Sequence, residues 1–187
     1  MNLSHPVRVG LVGAGRIGTS HAESLALRIP TAQLVAMADP APGAAARLAD
    51  PFGATAYTDP QDLIDSSDVE AVVITSPPRF HVDLVLAAAA AGKAVFCEKP
   101  VGFSVAGIDQ AIAATAAAGV PLQVGFNRRF AADFRAAHDV IASGGIGTVQ
   151  LMRSVIRDPG LADPGGVAPW TIFRETLIHD FDTLLWL

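Results

Sequence analysis

Residues 13–18 read Gly13-Ala14-Gly15-Arg16-Ile17-Gly18, directly after the apolar run Val7-Arg8-Val9-Gly10-Leu11-Val12 and directly before a helical pattern. This order suits a dinucleotide. Gly13 lets the chain turn sharply, Gly15 leaves bare backbone for a pyrophosphate, and Gly18 lets the new helix pack tightly on the strand. The N–H groups of the helix's first turn then face the phosphates. A second apolar run, 33–38, ends in Asp39, 21 residues past Gly18. A carboxylate there accepts hydrogen bonds from the adenosine ribose and repels a 2′-phosphate, which favours NAD over NADP. The same residues also fit a plain tight turn with Asp39 capping the loop before Pro40; the strand-turn-helix-strand context weighs toward the nucleotide.

Two further groups could do chemistry. Glu98-Lys99-Pro100 follows the apolar strand 94–97, and a charged pair at the end of a buried strand is either a surface ion pair or part of an active edge. Glu175, His179 and Asp182 are spaced i, i+4, i+7, so a continuous helix sets all three on one face. Its other stripe, Ile172, Leu177, Phe181, Leu184 and Leu185, is apolar enough to bury. An ordinary solvated ion pair satisfies the same spacing.

The elements that must position these groups alternate along the chain. Strands are expected at 7–12, 33–38, 54–57, 70–75, 94–97 and 120–124, and helices after Gly18 and at 41–49, 61–64, 80–91 and 104–118. The run 70–75 is continuously apolar, as in a parallel strand covered on both faces. Six alternations predict an α/β Rossmann-type, doubly wound parallel sheet over 1–124, with ligands at the strands' carboxyl ends. Those ends carry Gly13 to Gly18, Asp39, Thr75-Ser76-Pro77-Pro78, Glu98-Lys99-Pro100 and Phe126-Asn127-Arg128-Arg129. Residues 125–187 read as the incomplete start of an α+β second domain: a helix at 131–142, a turn at Gly144-Gly145, a strand at 148–156, a loop at 158–169 and a last helix.

Composition narrows the class. A chain of 187 residues, 51% hydrophobic and 17% charged, is globular rather than disordered. Its net charge of −5 and the lack of a Lys/Arg stripe argue against nucleic acid. The single cysteine, Cys97, cannot make an internal disulfide and reads as core packing. No secretion signal precedes the first strand, and 84–92 is far too short to span a bilayer. The expectation is a cytoplasmic protein with no membrane partner and no metal.

Gly13 to Gly18, Thr75-Ser76-Pro77-Pro78 with His81, and above all Cys97-Glu98-Lys99-Pro100 resemble the Gfo/Idh/MocA oxidoreductases. Residues 173–182 resemble the helix that carries the family's catalytic acid and histidine. Gly125-Phe126-Asn127-Arg128-Arg129-Phe130 and Arg157-Asp158-Pro159 look most like the inositol 2-dehydrogenase branch. The resemblance implies an NAD(P)-dependent dehydrogenase acting on a polyol or sugar-like alcohol, homo-oligomeric in full-length form. It gives Lys99 the role of the family lysine, His179 that of the catalytic histidine and Glu175 that of the carboxylate before it. Glu175 departs from the usual Asp, and Trp170-Thr171 stand where the family has a glycine pair.

On this reading the cofactor contacts are Gly13, Ala14, Gly15, Arg16, Ile17, Gly18, Asp39, Thr75, Ser76, Pro77, Pro78, His81, Glu98 and Lys99. His179 is the base, since an unperturbed imidazole titrates at about 6.5. Glu175 fixes its tautomer, and Lys99 stabilises the developing alkoxide. The extra methylene of Glu175 moves its carboxylate by roughly 1 Å, a displacement that can cost about 10²-fold in rate. Asn127 and Arg128 are placed to reach substrate hydroxyls, or serve as a solvated hinge. His21 reads as packing, and His5 and His138 as bland. A non-catalytic nucleotide-binding regulator is the alternative; a methyltransferase is weaker, because nothing in it requires Glu98-Lys99-Pro100.

A lone strand at 148–156 has unpaired edges and an uncovered face, so the chain is expected to be a fragment or to need a partner. Size-exclusion and dye binding check this: dye uptake or association is expected, and a compact, dye-silent monomer contradicts it.

Overall fold

The structure, a computed structural model, describes residues 5–157, 168 and 170–187. The chain divides into two compact units, Met1–Gly125 and Phe126–Leu187. The loop expected at 158–169, with Asp158 and Pro159, lies outside the described residues apart from Ala168.

In the first unit the strands β1 (Val7–Val12), β2 (Ala32–Ala38), β3 (Thr55–Tyr57), β4 (Ala71–Ile74), β5 (Ala94–Cys97) and β6 (Leu122–Val124) form one parallel sheet in the order β3-β2-β1-β4-β5-β6. The expected doubly wound sheet is therefore present. Side chains alternate across it and feed two cores. Val12, Val72 and Ile74 belong to one cluster, while Leu11, Met37 and Val73 belong to the other. Both faces are covered, which is why β4 is apolar without interruption and β1 is apolar from Val9 onward.

Five helices connect the strands: α1 (Arg16–Leu27), α2 (Ala44–Ala49), α3 (Pro60–Asp65), α4 (His81–Ala90) and α5 (Val105–Ala118). Two of them, α3 and α5, start on a side-chain cap. Asp59 accepts from the Gln61 amide with Pro60 at the first helical position, and the Ser104 hydroxyl accepts from the Gly107 amide. Two starts differ from expectation. Gly43, at φ +70°, delays α2 to Ala44, and a 3₁₀ turn at Pro78–Phe80 precedes α4.

The glycine turn is shaped by close backbone approach. Gly13 has φ +106°, and a Cβ there would lie 2.7 Å from the Ser76 nitrogen. A Cβ on Gly18 would lie 1.9 Å from the Gly13 oxygen, whereas one on Gly15 would meet nothing within 4 Å.

The second unit contains a 3₁₀ turn (Asn127–Phe130), α6 (Ala132–Ala142), a π-helical turn (Ile172–Thr176) and α7 (Ile178–Trp186). Two expectations fail here. The strand at 148–156 is absent: the segment is irregular, because a strand is defined by its ladder and no described residue pairs with it. The last helix is also not one α-helix carrying Glu175, His179 and Asp182. Glu175 lies in the π turn and the other two in α7.

The buried face of α7 is also inverted. Asp180, Asp182 and Thr183 are buried, while Phe181 is 51% and Leu185 88% exposed, with Ile172 and Leu184 also exposed. The acids go inward because the adjacent arginines Arg128 and Arg129 pair with them, which offsets the cost of burying charge.

Thermal melts of two variants check the turn. Gly18→Ala forces a carbon onto a backbone oxygen and is expected to cost roughly 3 kcal/mol or more. Gly15→Ala enters open space at a negative φ and is expected to stay within about 0.5 kcal/mol of the parent.

Candidate functional site

A cavity of about 600 Å³ opens at the carboxyl ends of β1, β2 and β4. Gly13, Asp39, Ser76 and Pro77 line it as anticipated; Pro40, Pro60, Arg79 and Phe80 line it without having been singled out. A smaller cavity, about 340 Å³, lies against Ala32 to Val35 at the amino end of β2 and does not include the glycine turn. The larger one therefore occupies the position where open parallel sheets bind ligands.

The Asp39 carboxylate is aimed by the chain. Its Oδ2 accepts from the Ala14 amide at 2.7 Å and its Oδ1 from the Ala41 amide at 2.8 Å. Two carboxylate oxygens offer about four acceptor sites, so capacity remains for ribose hydroxyls. Thr75 plays a different part from the one expected. Its hydroxyl sits 3.0 Å from the Val12 carbonyl oxygen and 2.9 Å from that of Gly13, so it pins the glycine turn. The buried Ser76 hydroxyl, by contrast, has no partner among the described residues. Arg16 and Ile17 lie exposed at the start of α1, beside the open space at Gly15.

Lys99 follows β5, half-buried between Glu98 and Pro100. Glu98 Oε1 lies 2.8 Å from His21 Nε2, and Oε2 accepts from the Lys99 amide at 3.3 Å. Burial pushes the Glu98 carboxyl up, but the His21 hydrogen bond and charge, the Lys99 amide and the Lys99 charge outweigh it and hold the group below its usual 4.5. His81 departs from the expected pocket edge. Its ring is 1% exposed, with Nδ1 2.8 Å from the Pro100 oxygen and Nε2 2.7 Å from the Ser76 oxygen, so neither nitrogen is left for a nucleotide. The His21–Glu98 and His81–Pro100 contacts were not legible, because each joins residues distant in sequence. The Cys97 thiol is buried and pushed up to about 12, first by desolvation and then by the Glu98 charge, in keeping with a packing role.

The second unit carries the other chemistry-bearing residues. Asn127 is exposed on the 3₁₀ turn, and Glu175 and His179 are half-buried. Arg128, expected to reach substrate, instead donates to Asp180 Oδ1 at 2.9 Å and lies over the Phe134 ring. Ser154 also donates to Asp180. Burial raises the Asp180 carboxyl, but the Ser154 and Arg128 hydrogen bonds and the Arg128 and His179 charges bring it below the ordinary range. Arg129 grips Asp182 through two nitrogens, Nε at 2.9 Å and Nη2 at 2.6 Å. Among the described residues no cluster of His, Cys, Asp and Glu could hold a metal, and no helix is long and apolar enough to cross a membrane.

The profile of the oxidoreductase family's NAD-binding Rossmann fold, Gfo/Idh/MocA, matches residues 7–126. The chain belongs to the Gfo/Idh/MocA family. Members similar to it include the myo-inositol 2-dehydrogenase of Thermotoga maritima, 39% identical over 94% of this chain and 53% of that protein. The inositol 2-dehydrogenase of Rhizobium meliloti is 40% identical with the same coverages. The crystal structure of scyllo-inositol dehydrogenase from Lactobacillus casei with bound NAD(H) and scyllo-inositol has a TM-score of 0.88 at 32% identity, over 97% of this chain and 56% of that one. The chain thus spans about half the length of the Gfo/Idh/MocA relatives it matches.

Because Glu98 is held below 4.5 in the folded state, it stabilises the fold fully above that pH and loses this contribution as pH falls through its lowered value. Denaturant titrations between pH 3 and pH 7 are expected to show a shallower acid-side loss of stability for Glu98→Gln than for the parent chain; equal slopes would contradict the assignment.

Proposed function

We propose that this protein oxidises a secondary alcohol of a polyol, of the inositol kind, and passes the hydride to NAD. The observation that carries the reading is the placement of Lys99 at the carboxyl end of β5, in the same strand-end row as the glycine turn and Asp39, in a family whose similar members are named inositol dehydrogenases.

The residues present fit a dinucleotide. The space at Gly15 is open, Ser76 lines the cavity, and Asp39, which also lines it, is held by two amides. NAD, when bound, supplies the hydride acceptor. The first-turn amides of α1 hold the pyrophosphate, Asp39 accepts from the ribose hydroxyls, and Ser76 adds a donor at the cavity wall. Lys99 Nζ donates to the substrate oxygen and stabilises the negative charge that develops there. A ring nitrogen of His179 takes the hydroxyl proton, and Glu175 orients that ring. Met1–Gly125 is then the nucleotide unit, and Phe126–Leu187 contributes to the substrate side. A regulator that binds nucleotide without turnover is the second reading, favoured by Glu175 standing where the family pattern has Asp.

NADH formation across a panel of inositols and sugar alcohols tests the proposal. Turnover is expected to fall by roughly 10² or more in Lys99→Ala, the scale seen when an oxyanion-stabilising donor is removed. NAD is expected to bind at least about tenfold more tightly than NADP, a difference of ~1.4 kcal/mol, and Asp39→Ser to narrow the gap. Binding with no turnover on any alcohol supports the regulator instead.

A further inference from the structure

We propose that His21 and His81 are positioning residues for Lys99, clamping the chain on either side of it: His21 through the Glu98 carboxylate, His81 through the Pro100 carbonyl. This rests on the reading of Lys99 as the ammonium that meets substrate.

The need for a clamp follows from where the sheet stops. The Glu98 amide donates to the Ile74 carbonyl and the Gly125 amide to the Cys97 carbonyl, each at 2.9 Å, and these bonds end the ladder on either side of β5. Lys99 lies beyond them. A lysine carries its charge on a four-carbon stem, so an error in its backbone is passed on to Nζ. A displacement of about 1 Å at a reacting group can cost on the order of 10²-fold in rate.

On the amino side, Glu98 is fixed from three directions. His21 Nε2 lies at 2.8 Å from Oε1, the Lys99 amide donates to Oε2, and Gly125 backs the group so closely that a Cβ there would lie 3.1 Å from Cδ and from both oxygens. His21 belongs to α1, the helix that opens on the glycine turn. The bond therefore refers the lysine segment to the phosphate cradle. Its ring also packs on Phe96 of β5, with centroids 5.3 Å apart.

On the carboxyl side, His81 spans two carbonyls, that of Pro100 and that of Ser76 in the loop after β4. A buried ring with a carbonyl oxygen within hydrogen-bond distance of each nitrogen is a rigid spacer, a neutral imidazole donating to one of the two at a time. It sets the distance between the loop that lines the nucleotide cavity and the residue after Lys99. A role in packing alone needs no nitrogen at either position, yet three of the four ring nitrogens of this pair lie 2.7–2.8 Å from an oxygen of the chain.

The chain has two lysines, Lys93 and Lys99, so labelling with [ε-¹³C]lysine gives two signals. Lys93 precedes β5 and Lys99 follows it; Lys93 Nζ donates to the Ser66 and Val69 carbonyls at the strand's amino end and serves as the internal reference. His21→Leu removes the donor to Glu98, whereas His21→Gln returns an amide nitrogen near the Nε2 position. His81→Gln keeps the Ser76 side and loses Pro100; His81→Asn does the reverse. The Lys99 signal is expected to shift in His21→Leu and His81→Gln and to return toward the parent position in His21→Gln and His81→Asn, with Lys93 unmoved throughout. In turnover, the first two variants are expected to lose roughly tenfold or more in kcat while KM for NAD stays within about twofold.

A Lys99 signal unchanged in both His21→Leu and His81→Gln overturns the clamp. Should His81→Gln unfold, shown by movement of the Lys93 signal as well, the His21 pair decides alone. Failure of the parent Lys99 signal to respond to NAD counts against the proposed function, and is read separately from the variants.

Discussion

Gly18 packs so closely on the Gly13 carbonyl that a methyl group there would sit 1.9 Å from the oxygen, and the Thr75 hydroxyl lies 2.9 Å from the same atom. Three segments meet at that carbonyl: the end of β1, the start of α1 and the end of β4. Interiors packed to this density transmit displacement rather than absorb it, so the direction of α1 is set by the strand it leaves. The Ala14 amide is consequently aimed at Asp39, and the end of β2 is tied to the turn. His21, further along the same helix, is brought to Glu98. A contact between backbone atoms thus fixes where the charged side chains of the sheet's carboxyl edge stand.

Those charges are held by protein donors rather than left to solvent. Asp39 takes two amides, and Glu98 takes an imidazole and an amide. Hydrogen bonds to charged groups contribute about 1.5–3 kcal/mol each, against roughly 0–1 kcal/mol for an exposed ion pair. The difference matters for binding, because a carboxylate already oriented loses little further freedom when a ligand arrives. The start of α1 adds partial positive charge from its unpaired amides at the open space left by Gly15.

What could be read from the sequence divides along the same physical line. Continuous apolar runs such as Val72-Val73-Ile74 announce strands buried on both faces, and three glycines at fixed spacing announce a turn with backbone in contact with backbone. Both signals are local, and the first unit follows them. The expected strand at 148–156 was read from local pattern too, yet a strand exists through its neighbours. The inverted face of α7 has the same origin: apolar spacing put Phe181 and Leu185 inward, while Arg128 and Arg129, more than fifty residues earlier, draw Asp180 and Asp182 in instead. The contacts of His21 with Glu98 and of His81 with Pro100 span 77 and 19 residues, beyond any periodicity. Elements announced by a local pattern were legible, and bonds assembled by the fold were not.

One device recurs in the two units. A side chain that must meet a substrate cannot commit all its donors to the protein, so its position is better secured through a neighbour in the chain. Lys99 is preceded by Glu98, which is bonded to His21; His179 is followed by Asp180, which Arg128 and Ser154 hold. In each case a carboxylate adjacent to the candidate reactive group takes the anchoring bonds. On the proposed function, the conspicuous residue of each motif supplies the chemistry, and the less conspicuous one beside it supplies the geometry.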